Sequence, residues 1–173
     1  MYDINDTVLY GSHGVCKIVD ITEKEMDKES RRCYVLKPMY EGTFTIFVPI
    51  DSKNIDAKMR RVLSTEEIHA LIEAMPGEDI ICIENDTARR EKYKEILAGG
   101  DRTQLVKLIK TLYSQQQQRK EQGKKPLATD ENFLKDAERI LYDELAHVLD
   151  IQREQVLPFI IGQIGVDERK TDE

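Results

Sequence analysis

The sequence predicts an α+β protein in which a small β-barrel, or strongly bent sheet, precedes an all-α helical domain. Two observations carry this. Up to residue 62, β-branched and aromatic residues come in short runs broken by turn residues. From Ser64 onward, apolar residues recur at three- and four-residue steps. Length adds a third: the strand-rich part is too short for a large two-sheet sandwich, while 173 residues suit one or two modest domains. The expected division is a β domain over 1–62, a helical domain over 63–165 and a polar tail over 166–173.

In the first part, Thr7–Tyr10 reads as a strand and Gly11-Ser12-His13-Gly14 as a turn. Val15 to Ile21 alternates Val15, Lys17, Val19 and Ile21 against Cys16, Ile18 and Asp20. The charged stretch Glu23 to Arg32 reads as a hairpin tip or loop. Cys33–Met39 and Thr43–Pro49 are two further strands, and Met59–Val62 is a candidate fifth.

The helical part opens on Ser64-Thr65-Glu66-Glu67, a capping box before the apolar positions Ile68, Leu71, Ile72 and Met75. Pro76-Gly77 ends that helix. Ile80 to Glu84 is apolar and fits either strand or helix. Asp86 is the expected cap of a second helix reaching Gly99-Gly100, and Asp101 of a third carrying Leu105, Leu108, Ile109 and Leu112. Gln115 to Gln118 continues that helix outside the core, and Gly123-Lys124-Lys125-Pro126 terminates it. Thr129 is the expected cap of a long fourth helix through Phe133, Leu134, Ala137, Ile140, Leu141, Leu145 and Val148. A last segment begins at Asp150, where Pro158 should kink or interrupt a helix.

Charge is unevenly spread. The chain has 26 Lys+Arg against 33 Asp+Glu, net −7. Residues 1–60 hold 9 bases and 10 acids, residues 61–125 hold 12 and 11, and residues 126–173 hold 5 and 12. The excess acid therefore lies at the C-terminal end, and the middle is free to present a local basic surface. Three scattered cysteines, Cys16, Cys33 and Cys82, suit a reducing compartment and give no disulfide frame or zinc motif. The first residues lack the apolar core of a signal peptide, and no apolar run approaches the ~18 residues of a membrane span. A soluble, cytoplasmic protein is expected, with no cofactor, metal or small-molecule substrate.

Catalytic signals are weak. His13 and Cys16 are the one base–thiol pair in reach, but Cys16 falls in strand alternation, where a small buried side chain explains it. No phosphate-cradling loop or metalloprotease, hydrolase or dinucleotide motif is present. Basic clusters say more. Arg89, Arg90, Lys92 and Lys94 sit near the start of the second helix, Lys107 and Lys110 lie three apart on the third, and Arg119, Lys120, Lys124 and Lys125 gather at its far end. Such faces can neutralise phosphates, although ordinary solvated helix surface looks the same in sequence. Thr43-Phe44-Thr45-Ile46-Phe47-Val48-Pro49 alternates and ends in proline, as an edge strand open to β-augmentation does.

Several of these runs occur together in one order. They are Asp6-Thr7-Val8-Leu9-Tyr10 with Gly14-Val15, Tyr34-Val35-Leu36-Lys37, Thr45-Ile46-Phe47-Val48-Pro49, Tyr93-Lys94-Glu95-Ile96-Leu97 with Gly100-Asp101, Leu108 to Leu112, and Ala137 through Leu145-Ala146. In this the chain resembles the CarD family of bacterial RNA-polymerase-binding regulators up to about residue 164. The resemblance implies a Tudor-like N-terminal barrel, like the polymerase-binding module of the transcription-repair coupling factor. It implies docking on the lobe of the RNA polymerase β subunit, and a helical domain that contacts promoter DNA just upstream of the −10 element and stabilises the open complex. By resemblance the polymerase contact falls on Lys24, Thr45, Phe47 and Pro49, and the DNA contact on Arg89, Arg90, Lys92 and Lys94. Lys107 and Lys110 join them as basic helix positions.

The sequence departs from the family pattern in three places. Relatives often carry a basic residue where Phe47 stands. Many insert a Trp wedge at the edge of the bubble, but this chain has no Trp and aligns Cys82 there. A basic residue of some relatives falls near Glu131-Asn132. Cys82 and the acidic C-terminus favour one alternative, a polymerase-binding module without productive DNA contact. A thiol enzyme built on His13 and Cys16 is the other.

Overall fold

The computed structural model describes the backbone of residues 1–40 and 42–171 and the side chains of 1–40 and 42–164. Its first part is a five-stranded antiparallel sheet of β1 (Thr7–Tyr10), β2 (Val15–Met26), β3 (Glu29–Pro38), β4 (Ile46–Pro49) and β5 (Met59–Arg61). The strand order is β4-β3-β2-β1-β5, which leaves β4 and β5 as edges. Both edges still reach one core, because Val48 and Met59 join Val8, Cys16, Ile18, Tyr34 and Leu36 in a single buried cluster.

The β2–β3 hairpin is longer than the sequence suggested. The stretch Glu23 to Arg32 is mostly strand, paired from Glu23–Arg32 to Met26–Glu29. Only Asp27 and Lys28 turn, both at positive φ (51° and 67°), as a two-residue type I′ connection requires. Charge hid these strands, because the hairpin projects past the core and has no apolar face to show. A register shift between Ile18 and Asp20 leaves Val19 bulged and exposed. It moves Ile21 to the core side and breaks the simple alternation of Val15 to Ile21. The strand expected over Thr43–Pro49 is regular only from Ile46. Thr43 to Thr45 are irregular, and the Phe44 ring packs edge-on against His13 at 5.6 Å.

After a one-turn helix α1 (Ile55–Lys58), five helices follow: α2 (Thr65–Ala74), α3 (Asp86–Gly99), α4 (Arg102–Glu121), α5 (Ala128–Leu149) and α6 (Arg153–Thr171). The Ser64–Glu67 capping box forms in both directions, and Asp101 caps α4 by accepting from the Gln104 amide. Two expected caps move. Asn85, not Asp86, caps α3 through the Ala88 amide. Thr129 lies inside the first turn of α5, which begins at Ala128 with no side-chain cap; Asp130 and Glu131 there complement the helix dipole instead. Asp150 ends α5 in the left-handed region, and α6 carries Pro158 inside it without stopping. Helix α6 enters the segment expected as a polar tail; residues 172 and 173 lie outside the described residues.

The two parts share material. In β1, Val8 faces the sheet core while Leu9 joins the helical core, and Cys16 and Val15 divide the same way in β2. At Val8-Leu9 and Val15-Cys16 the sheet is buried on both faces, which explains why adjacent positions there are apolar instead of alternating. Gly100, in the left-handed region at φ 70°, brings the α3–α4 turn so close that a Cβ would stand 3.3 Å from Leu9 and 3.4 Å from Arg60. Arg102 locks the joint. Its Nη2 donates to the Arg61 carbonyl at 2.6 Å, and its guanidinium pairs with the fully buried Glu144 at 2.5 and 2.8 Å. Arg139 on α5 donates to the Ser12 carbonyl at 2.6 Å.

Candidate functional site

The thiol-enzyme reading fails on geometry. Cys16 is fully buried in the sheet core, and burial pushes its thiol up to about 12, so no thiolate forms near neutral pH. His13 lies outside, with its ring stacked on Tyr10. Among the described residues no His, Cys, Asp or Glu cluster is placed to hold a metal, and no helix is long and apolar enough to cross a membrane.

The candidate binding residues of the sheet come together. β4 pairs with β3 on one side only. The Ile50 amide donates to the Arg32 carbonyl at 3.0 Å, which sets the ladder's phase. Val48 and Ile46 then exchange hydrogen bonds with Tyr34 and Leu36, while Phe47 and Pro49 turn their backbone groups to the open edge. Pro49, with no N–H, stands where the amide would have faced out. Period-two alternation sends Val48 into the core and puts Phe47 and Pro49 on the outward face. Lys24 reaches that face from β2 and sets its Nζ 3.6 Å from the Phe47 ring centroid. Thr45 is exposed just before the strand. Arg31 stands directly opposite Lys24 in the hairpin and adds a second cation that sequence reading missed; only the hairpin register reveals it.

The helical candidates divide. On α3, Tyr93, Ile96 and Leu97 face the core. At 3.6 residues per turn, Arg90 and Lys94 share one flank and Lys92 takes the other. Arg89 lies one turn before Tyr93, mostly covered, with Nη1 3.0 Å from Asp86 and its Nε without a hydrogen-bond partner among the described residues. Lys92 and Lys94 stand 3.8 Å from Glu95 and Glu91. Arg90 is exposed and has no ion pair among the described residues.

Lys107 and Lys110 do not form a free basic face. Lys110 Nζ donates to the carbonyls of Met75 (2.9 Å), Pro76 (3.4 Å) and Glu78 (2.5 Å), closing the end of α2. Lys107 stands 3.9 Å from Glu78. Both cations serve the joint between α4 and the turn after α2, Lys110 by donating to carbonyls that need donors and Lys107 by pairing with a carboxylate. The segment Ile80 to Glu84 is neither strand nor helix. Its Ile81 amide donates to Thr111 Oγ1 at 2.8 Å, Ile81 packs on the core, and Cys82 is exposed. Cys82 is therefore a surface residue, not a core one.

The described residues thus present an open sheet edge with an aromatic–cation face, fused to a helical part in which α3 carries an exposed arginine. Residues 2–63 match the family described as CarD-like/TRCF RID domain, and residues 70–160 match that described as CarD, C-terminal domain. The chain belongs to the CarD family, whose members are RNA-polymerase-interacting transcription regulators.

Proposed function

We propose that this chain is an adaptor in transcription initiation, acting in the cytoplasm. It docks on the lobe of the RNA polymerase β subunit through the outward face around β4, and it meets promoter DNA upstream of the −10 element through α3. The observation that carries the docking is the meeting of Lys24, Phe47 and Pro49 on one face beside an unpaired strand edge. A partner strand gains hydrogen bonds from the Phe47 backbone and contact with its ring, the two components of β-augmentation. Phe47 supplies apolar area and Lys24 and Arg31 supply charge.

On the DNA side Arg90 is the principal contact, with Arg89 fixed beside it and Lys94 on the same flank as Arg90. Cys82 occupies the wedge position, where a small thiol unstacks no base step. The chain stabilises the open complex by binding it more tightly than the closed one, since only differential affinity shifts an equilibrium. Copurification with RNA polymerase, and its loss in Phe47→Ala at unchanged thermal midpoint, tests the docking. The pairing of Lys92 and Lys94 with glutamates favours a second reading, polymerase binding without productive DNA contact. Polymerase affinity unchanged by promoter DNA across a salt series would favour it.

A further inference from the structure

Helix α4 carries a single carboxylate in its twenty residues, Glu121 at the last position, in a chain with more acids than bases. The segment Arg119-Lys120-Glu121-Gln122-Gly123-Lys124-Lys125 then holds four cations and one acid. Its shape is fixed. Gly123 takes φ 73°, the Lys124 amide donates to the Arg119 carbonyl at 2.8 Å, and Arg119 Nε donates to the Lys125 carbonyl at 2.8 Å. Lys124 and Lys125 are thus folded back beside the helix end. Lys120, Lys124 and Lys125 are exposed, and none of the four cations has an ion pair among the described residues. The helix dipole accounts for Arg119 and Lys120 in the last turn, but not for the two lysines beyond it.

The tip lies at the basic end of α3. The two helices form a hairpin about Gly100-Asp101, and Gln115 Nε2 donates to the Tyr93 hydroxyl at 3.5 Å. One turn farther from the bend lie Arg89 in α3 and Arg119 in α4. Of the nearby acids, Asp86 is engaged by Arg89 and Asp130 on α5 is buried, while Glu121 and Glu131 are exposed, so cations still outnumber open carboxylates at the tip.

We propose that Arg119, Lys120, Lys124 and Lys125 form a second phosphate-contacting surface, which takes the backbone of promoter duplex beside the stretch met by α3. This rests on the reading that α3 faces DNA. Spaced, exposed lysines offer point charges at a turn, which fits a repeating polyanion. The acidic remainder of the chain repels the same polyanion and so orients it.

The test measures affinity of the full chain for RNA polymerase with and without promoter DNA across a salt series. The variants are Lys120→Gln/Lys124→Gln/Lys125→Gln, the same three lysines changed to Arg, and Arg90→Gln. The glutamine triple is expected to weaken only the DNA-dependent part and to take about 0.9 off its log–log salt slope for each phosphate no longer neutralised. The arginine triple should retain the slope. An unchanged slope in the glutamine triple, with a reduced slope in Arg90→Gln, overturns the tip surface and leaves α3 standing. Equal loss with and without DNA also overturns it, and points the tip at polymerase. No DNA-dependent slope in the unaltered chain defeats the α3 reading and this inference together.

Discussion

Lys24 on β2 and Phe47 on β4 meet across β3, with the ammonium 3.6 Å from the ring centroid. A cation over an exposed ring contributes about 0.5–1 kcal/mol, and more once a partner excludes water. The pair is therefore weak in the free chain and stronger at an interface. Phe47→Ala should lower polymerase affinity by about tenfold or more, as loss of an aromatic anchor does, and should barely move the thermal midpoint. Phe47→Glu is a poorer probe, because the new carboxylate can pair with Lys24. Titration of polymerase with each variant checks this, and unchanged affinity in Phe47→Ala would move the docking face elsewhere.

Glu144 is fully buried and answered by Arg102, whose guanidinium also holds the Arg61 carbonyl. Glu144→Leu alone should cost about 3–5 kcal/mol by stranding a buried guanidinium, while Arg102→Met/Glu144→Leu should recover much of it. Denaturant melts of the three proteins read this directly. A double variant no better than the single would show that the pair stabilises the joint in its own right.

Much of the fold was legible in the sequence because it rests on local rules. The Ser64–Glu67 box, the Asp101 cap and the left-handed Gly100 follow from side chains within a few residues. What escaped depends on the rest of the chain. The bulge at Val19 is set by the register with β3, and the charged hairpin arms have no core against which to show alternation. Thr43 to Thr45 leave the strand where Phe44 finds His13. At the site, Lys24, Phe47 and Pro49 follow from the family resemblance, and the structure gathers them. The role of Lys110 within the fold was not legible, because nothing near it in sequence announces the three carbonyls after α2 that accept from it.

Cys82 is exposed while Cys16 and Cys33 are buried. One thiol of three should react promptly with a disulfide reagent in the native protein, and all three after unfolding. Cys82→Trp should leave the midpoint unchanged, since no core is overpacked. At a wedge position it should lengthen the open-complex lifetime, because base–aromatic stacking is worth about 1–3 kcal/mol. A lowered midpoint with no gain in lifetime would contradict both expectations.

The Arg61 guanidinium, and then the Ser64 amide, hold the Glu67 carboxyl down at about 2, below its ordinary 4.5. Between those values the unfolded chain binds a proton that the native chain does not, so stability falls as pH falls. The contribution is complete above about pH 4.5 and lost through pH 2. Glu67→Gln should flatten this part of the acid limb of the midpoint–pH profile, and an unchanged limb would show that the cap carries none of it. On the alkaline side, burial raises Cys16 and Tyr142 to about 12. The native chain keeps those protons longer than the unfolded one, so stability should also fall as pH rises through the ordinary values toward 12.

The central claim is that one chain links polymerase to promoter DNA and favours the open state. The lifetime of a competitor-challenged open complex, measured with the unaltered chain, Phe47→Ala and Arg90→Glu, tests it most directly. The expected result is a lengthened lifetime with the unaltered chain and loss of the effect in either variant, with Arg90→Glu still bound to free polymerase. A lifetime lengthened equally by Arg90→Glu and the unaltered chain would contradict the claim.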